Sequence, residues 1–268
     1  MTINRQIKEG AVGARKRATT VRGRTYQYEP CNANYPCMGA TPYALPTGAD
    51  GTFGRVLFPG GDVLYRFNGI NTAFGPTIST VNGRLQVDLE QTNNIGVEYF
   101  FDSGFVAAGF ESRHKTIVGT TDSPFARLSM EITDVSGTDQ LLFGYRKNET
   151  FQADFNNYDE MAAFNIISGD IFVDTILNGG ATASVDTGLN WADTETHELK
   201  LIIGEAGFSA GYVRFFVDGE QVGVNPFTFD DGEEIFPFMF FLQDVDLTSG
   251  LFWDFFEIGR VKDVEKAI

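Results

Sequence analysis

From residue 84 onward the chain alternates apolar and polar positions with a period of two. In residues 84–90, Leu85, Val87 and Leu89 point one way while Arg84, Gln86, Asp88 and Glu90 point the other. Ile95, Val97, Tyr99 and Phe101 share a face, as do Leu128, Met130 and Ile132, and then Leu141, Phe143 and Tyr145. A period of two is the mark of a strand with one buried and one wetter face, which predicts antiparallel sheets. Leu199, Leu201 and Ile203 continue the pattern, followed by Val213, Phe215 and Val217. The latter run meets Asp218-Gly219, a dipeptide suited to a type I′ turn, so residues 220–224 should return as a hairpin. Residues 235–242 and 251–258 are apolar on both faces and should be central strands covered on both sides. No long helix is predicted; residues 157–164 could form about one helical turn.

The pattern changes near residue 52. There is no Phe before it and 26 after it. Residues 26–59 hold five of the nine prolines (Pro30, Pro36, Pro42, Pro46, Pro59) and Tyr26, Tyr28, Tyr35 and Tyr43. Proline fixes φ and removes a backbone donor, so this stretch is neither a helix nor a central strand. The tyrosines offer apolar area for burial on something. Residues 5–18 could make a short helix, weakened by Gly10 and Gly13 at about 1 kcal/mol each relative to Ala. The chain thus divides into an extended arm, 1–52, and an all-β domain, 53–268. Fifty extended residues span up to about 170 Å at roughly 3.4 Å each. The domain itself has a radius of gyration near ~17 Å.

Charge follows the same boundary. Residues 1–24 carry seven Lys or Arg against Glu9, a net of +6; the other 13 bases and 35 acids give −22. The body should repel nucleic acid and anionic lipid, and only the arm suits a polyanion or the acidic face of a neighbouring subunit. No run of 18 apolar residues predicts a membrane helix, and the N-terminus lacks the apolar stretch of a secretory signal. Cys31 and Cys37 form a single C-x5-C pair; with two His in the chain, zinc-ligand spacings are absent.

The run THELKLIIGEAGFSAGYVRFFVDGEQVGV, residues 196–224, resembles the late hairpin of concanavalin A-like lectin/glucanase (laminin G-like) domains, where an H-x-L strand precedes a strand ending in F-x-V-D-G. PFMFFLQD and LFWDFFEIG resemble that fold's closing strands, and GDVLYRFNG an opening one. The resemblance covers roughly residues 55–260 and implies a two-sheet antiparallel β-sandwich, the concanavalin A-like jelly roll. It says little of function, because this sandwich hosts lectins, glycosidases, adhesion modules and coat components.

The residues offer little catalytic chemistry. Family 16-like glycosidases resemble one another in a strand motif E-x-D-x-x-E, and retaining chemistry needs two carboxylates about 5–5.5 Å apart. Here Glu131 and Asp134 are three apart and face opposite sides of a strand. Asp88 with Glu90, and Asp244 with Asp246, share a face as solvated acids often do. Neither a nucleophile elbow nor a phosphate loop is present, and His114 and His197 are the two histidines of the chain, each read as a surface or hydrogen-bonded residue. Non-enzymatic function is therefore expected, with no required cofactor. Calcium is the one candidate ion: Asp230, Asp231, Glu233 and Glu234 form a loop of oxygen donors, and Asp244 and Asp246 another. Trp191, beside Asp193 in a probable loop, is the candidate platform for a surface glycan.

In layout the chain resembles phage virion structural proteins: a basic, then Tyr/Pro-rich arm, an acidic sandwich and no export signal. That resemblance implies a capsid decoration, cement or head/tail-associated protein, made in the host cytoplasm and carried in the virion. Arg15, Lys16, Arg17, Arg22, Arg24, Tyr26 and Tyr28 would anchor the arm on capsid protein or on copies of the chain, by strand addition or charge pairing. A homo-oligomer fits this layout, and nucleic acid would meet only the arm. A carbohydrate-binding module or adhesin, and a glycoside hydrolase of the same fold, are the other two readings.

Overall fold

The computed structural model describes residues 17–21, 24–30, 53–58, 61–71, 77–81, 84–88, 94–100, 116–120, 123–204, 208–223, 226–243 and 250–263. These form two antiparallel nine-stranded sheets packed face to face, with two single-turn 3₁₀ segments and no longer helix. The fold is a β-sandwich, as the alternation predicts.

The first sheet runs β1 (Arg17–Val21), β2 (Arg24–Pro30), β18 (Leu251–Asp263), β9 (Ser123–Ile132), β14 (Thr196–Ile203), β15 (Val213–Val217) and β16 (Glu220–Gln221). β6 (Arg84–Asp88) also pairs with β18 and carries β5 (Thr77–Val81). The second runs β13 (Ala183–Asn190), β12 (Asp170–Ile176), β11 (Met161–Ile167), β10 (Thr138–Lys147), β17 (Glu234–Gln243), β7 (Gly96–Phe100), β4 (Gly61–Ile70) and β3 (Phe53–Phe58). β8 (Thr116–Ile117) pairs with the start of β17.

The main core lies between the sheets. Leu128, Met130 and Ile132 from β9 and Leu199, Leu201 and Ile203 from β14 meet Leu141, Phe143 and Tyr145 from β10. Edge-to-face aromatic pairs join the layers: Phe164 with Phe215 at 5.3 Å, and Tyr99 with Trp253 at 5.8 Å between ring centroids. The turn at Asp218-Gly219 has φ of +51° and +86°, as a type I′ hairpin requires. β17 is central and buried on both faces over Ile235–Phe241, which explains why its sequence does not alternate. Among the described residues β8 pairs at Glu234 and Ile235 and β7 only from Phe238, so Pro237 takes the place in β17 where neither of these strands pairs.

The expected helical turn over 157–164 is not formed. A 3₁₀ turn at Phe155–Asn157 is capped by Asp154, and β11 begins at Met161. Met161 and Ala163 bury on one face and Ala162 and Phe164 on the other, so tertiary burial outweighs local propensity. The helix considered over 5–18 lies outside the described residues up to Arg17, where β1 begins. The backbone of residues 17–30 forms a hairpin whose second strand pairs with β18, Pro30 opposite Gly259 and Tyr26 opposite Asp263. The strand addition expected between the arm and a neighbour is thus made, over these residues, to the chain's own sheet. Pro30 closes β2, and a proline at a strand end costs no ladder bond inside it.

Candidate functional site

A groove for a ligand would be sought first on the outer face of the second sheet. Cross-strand pairing sets Asn165, Leu142, Phe240 and Glu98 in one row across β11, β10, β17 and β7. Residues 148–160 fold back over this face. Phe155 and Tyr158 join Leu142, Met161, Ile176, Phe236, Phe238 and Phe240 in a second buried cluster. Under this roof Arg146 and Glu98 form an ion pair, Nε to Oε1 at 2.6 Å, both side chains no more than 2% exposed. The guanidinium also donates to the carbonyls of Lys147 and Glu149, and it stacks 4.4 Å from the ring centroids of Tyr158 and Phe236. Burial, then the Glu98 charge, pushes the Tyr158 hydroxyl well above its ordinary range. Further along the row, Asn165 donates to Asp174 at 2.6 Å, and burial raises the Asp174 carboxyl. The face therefore carries acids, but they are internal to the fold.

The acidic loop behaves similarly. Lys147 places its ammonium 2.7 Å from Asp159 Oδ2 and 2.9 Å from Glu233 Oε1, and these two hydrogen bonds raise its pKa above the usual lysine range. Glu234 accepts from the Asn148 amide, and the Asp231 carboxylate lies against Gly119, where an added Cβ would come within 1.8 Å of Oδ1. The loop's Glu233 is thus engaged by an ammonium of the chain itself. Among the described residues no group of three or more His, Cys, Asp or Glu is arranged to hold a metal ion. Asp244 and Asp246 lie outside the described residues.

Trp191 is not an exposed platform. It is 2% exposed, its indole N–H donates to the Glu195 carbonyl, and its ring meets His197 edge-on at 4.8 Å. Its loop position suggested exposure, but the loop folds inward as a lid on the core. His197 Nδ1 lies 2.7 Å from Asp218 Oδ2 and Nε2 lies 3.4 Å from Glu195 Oε2, which ties that lid to the β15–β16 turn. With Trp253 equally buried, tryptophan emission should be blue-shifted and poorly quenched by acrylamide, and added oligosaccharide should not change it. A red-shifted, readily quenched spectrum would contradict this placement. Phe208 is an exposed aromatic, 38% exposed and stacked on Tyr212 at 4.9 Å. It stands on the same loop as Gly204 and Ala210, which line a small cleft with Ile117, Thr120 and Pro124.

Of the expected arm anchors, Arg15, Lys16 and Arg22 lie outside the described residues, as do Cys31, Cys37 and His114. Arg17, Arg24, Tyr26 and Tyr28 are placed by backbone alone, in β1 and β2. Sequence reasoning missed Glu98, Arg146 and Tyr158. The available signal was Glu98 between Val97 and Tyr99, but alternation alone assigns such a position to the wetter face, and nothing local announces the roof.

No protein-family model matches the chain, and no curated protein matches it in sequence. Solved structures do. The Emp46p carbohydrate recognition domain in its potassium-bound form superposes with a TM-score of 0.51 at 8% identity, covering 73% of this chain and 88% of that one. Lectin UEA-II complexed with galactose reaches 0.47 at 12% identity over 73% and 92%. A chain from a study of human gut microbiota O-glycanases reaches 0.46 at 10% over 68% and 81%. The last two superpose too loosely to carry an argument, and identities this low speak to fold alone. The sandwich is therefore of the concanavalin A-like kind, the fold of the Emp46p carbohydrate recognition domain.

Proposed function

We propose that the chain is a non-enzymatic virion structural protein, an acidic sandwich that seats among neighbouring subunits through its basic N-terminal segment. The observation that carries this reading is the charge division, +6 over residues 1–24 against −22 over the rest. A surface so divided favours head-to-tail contact between unlike ends and disfavours contact between like ones. Support also comes from the second sheet, whose buried acids serve an ion pair and a roof rather than an open groove. Copies on capsid, decoration or head/tail components would meet the segment by charge, so attachment should weaken as the screening length falls from about 10 Å at 0.1 M salt to about 3 Å at 1 M.

The test is attachment to particles by full-length protein and by a chain lacking residues 1–16. That deletion stops before Arg17 because β1 and β2 belong to the sandwich's own sheet. The expected result is salt-sensitive co-sedimentation of the full chain and its loss on deletion, with an unchanged circular dichroism spectrum. Undiminished attachment of the truncated chain would sink the proposal.

A second reading, a carbohydrate-binding module, is favoured by the likeness to a carbohydrate recognition domain and by the exposed Phe208 stacked on Tyr212. Binding to a glycan array that disappears with Phe208→Ala would favour it over the first.

A further inference from the structure

Glu160 immediately precedes β11, where the roof loop, β10 and the acidic loop meet. It is fully buried. Its backbone carbonyl accepts from the Lys147 amide at 2.9 Å and its Oε2 from the Asp230 amide at 3.3 Å, while Oε1 has no hydrogen-bond partner. The charged groups around it are mostly of its own sign. Asp230 and Glu233 face it from the acidic loop. Lys147 is the nearby cation, but its ammonium is already held by Asp159 and Glu233. Asp159 adjoins it in the chain, and the Glu149 carboxylate accepts from the Asp159 amide. The Asp231 carboxylate is turned toward Gly119.

We propose that Glu160 is a proton-operated clasp that holds the 230–233 loop on the sandwich when protonated and releases it when ionised. As a neutral acid, Glu160 carries an O–H in place of a charge at this buried position, and the site stays dry. As an anion it adds a negative charge to a buried place whose one ammonium is shared, and a buried charge without a full set of partners draws in water. Water reaching Glu160 breaks the bond to the Asp230 amide, which is one of the loop's ties to the sandwich, beside the Gly232 amide on the Val118 carbonyl, the Val118 amide on the Glu233 carbonyl and the Lys147–Glu233 ion pair. Burial raises the Glu160 carboxyl above its ordinary value of 4.5; the Asp230 and Glu233 charges add to this, and the Asp230 amide and Lys147 oppose it. The folded state thus binds the proton more tightly than the unfolded chain. Stability from this group is fully present below 4.5 and is lost as pH rises through the folded value. The clasp belongs to the sandwich and holds whichever partner the protein meets.

The experiment is hydrogen exchange of the full chain from pH 4 to 8, corrected for intrinsic rates and read at the amides of Asp230, Gly232 and Glu233. In the natural protein these amides should open at least tenfold more at pH 8 than at pH 4. Glu160→Gln should keep them closed throughout and raise the neutral-pH melting temperature by roughly 2–4 °C, an increment that vanishes by pH 4. Asp230→Asn, which removes a facing charge, should move the opening to lower pH. Glu149 and Asp174 are raised by burial too, so the melting curve keeps a residual slope that the local amides do not share. Identical exchange profiles in Glu160→Gln and the natural protein would overturn the clasp. So would closure of the loop at pH 8 by millimolar Ca²⁺ in the natural protein but not in Glu160→Gln, since Glu160 would then hold a cation in place of a proton.

Discussion

Arg146→Ala should destabilise the protein by about 3–5 kcal/mol, the range for breaking a buried ion pair from one side. The loss has two sources. Glu98 is left charged and fully buried beneath the roof. The roof also loses the guanidinium that bonds the Lys147 and Glu149 carbonyls and fills the space between Tyr158 and Phe236. The double variant Glu98→Gln/Arg146→Met separates these effects. It removes both charges, keeps most of the volume and should recover the larger share, because isosteric neutral replacement of a buried pair is often close to neutral. Urea unfolding of the natural protein, Glu98→Gln, Arg146→Met and the double variant gives the coupling energy. A double variant no more stable than Arg146→Ala would mean that packing of the guanidinium, not its charge, holds the roof.

That pair marks the limit of what the sequence conveys. Strand identity was legible wherever one face is buried and the other wet, as in β9 or β14, because alternation is a local property. The hairpin at Asp218-Gly219 was legible because a two-residue turn needs φ > 0 at both positions. β17 was legible as a central strand from its unbroken apolar run. Glu98 and Arg146, by contrast, lie 48 residues apart and meet only because β17 is inserted between β10 and β7. Trp191 fails for the same kind of reason: that its loop folds in over the core follows from Gly169 accepting its amide and Asp218 reaching His197, contacts 22 and 21 residues away. The contiguous acids of the 230–234 loop were legible in the sequence, whereas the ammonium that engages Glu233 comes from β10, 86 residues before it.

Gly144→Ala is expected to cost about 3 kcal/mol, at the upper end for overpacking a well-filled interior. Gly144 has no positive φ, so the requirement for glycine is space. A Cβ there would lie 2.2 Å from the Ala162 carbonyl oxygen, 2.5 Å from Ala163 Cα and 2.7 Å from Ala163 Cβ. β10 stands between β11 and β17 with Phe238 opposite Gly144 on the far side, so it cannot move from one neighbour without pressing on the other. Gly219→Ala is the matching control. Its φ is +86° with nothing within 4 Å of the added carbon, so it carries backbone strain alone, about 1–2 kcal/mol. If spacing governs position 144, Gly144→Ala should be the more damaging of the two despite its ordinary φ. Ala163→Gly added to Gly144→Ala should restore only a minor part, because the shortest contact is to a backbone oxygen that no side-chain change removes. Full recovery in that double variant, read by urea unfolding, would show that methyl against methyl, and not the approach of two backbones, sets the distance between β10 and β11.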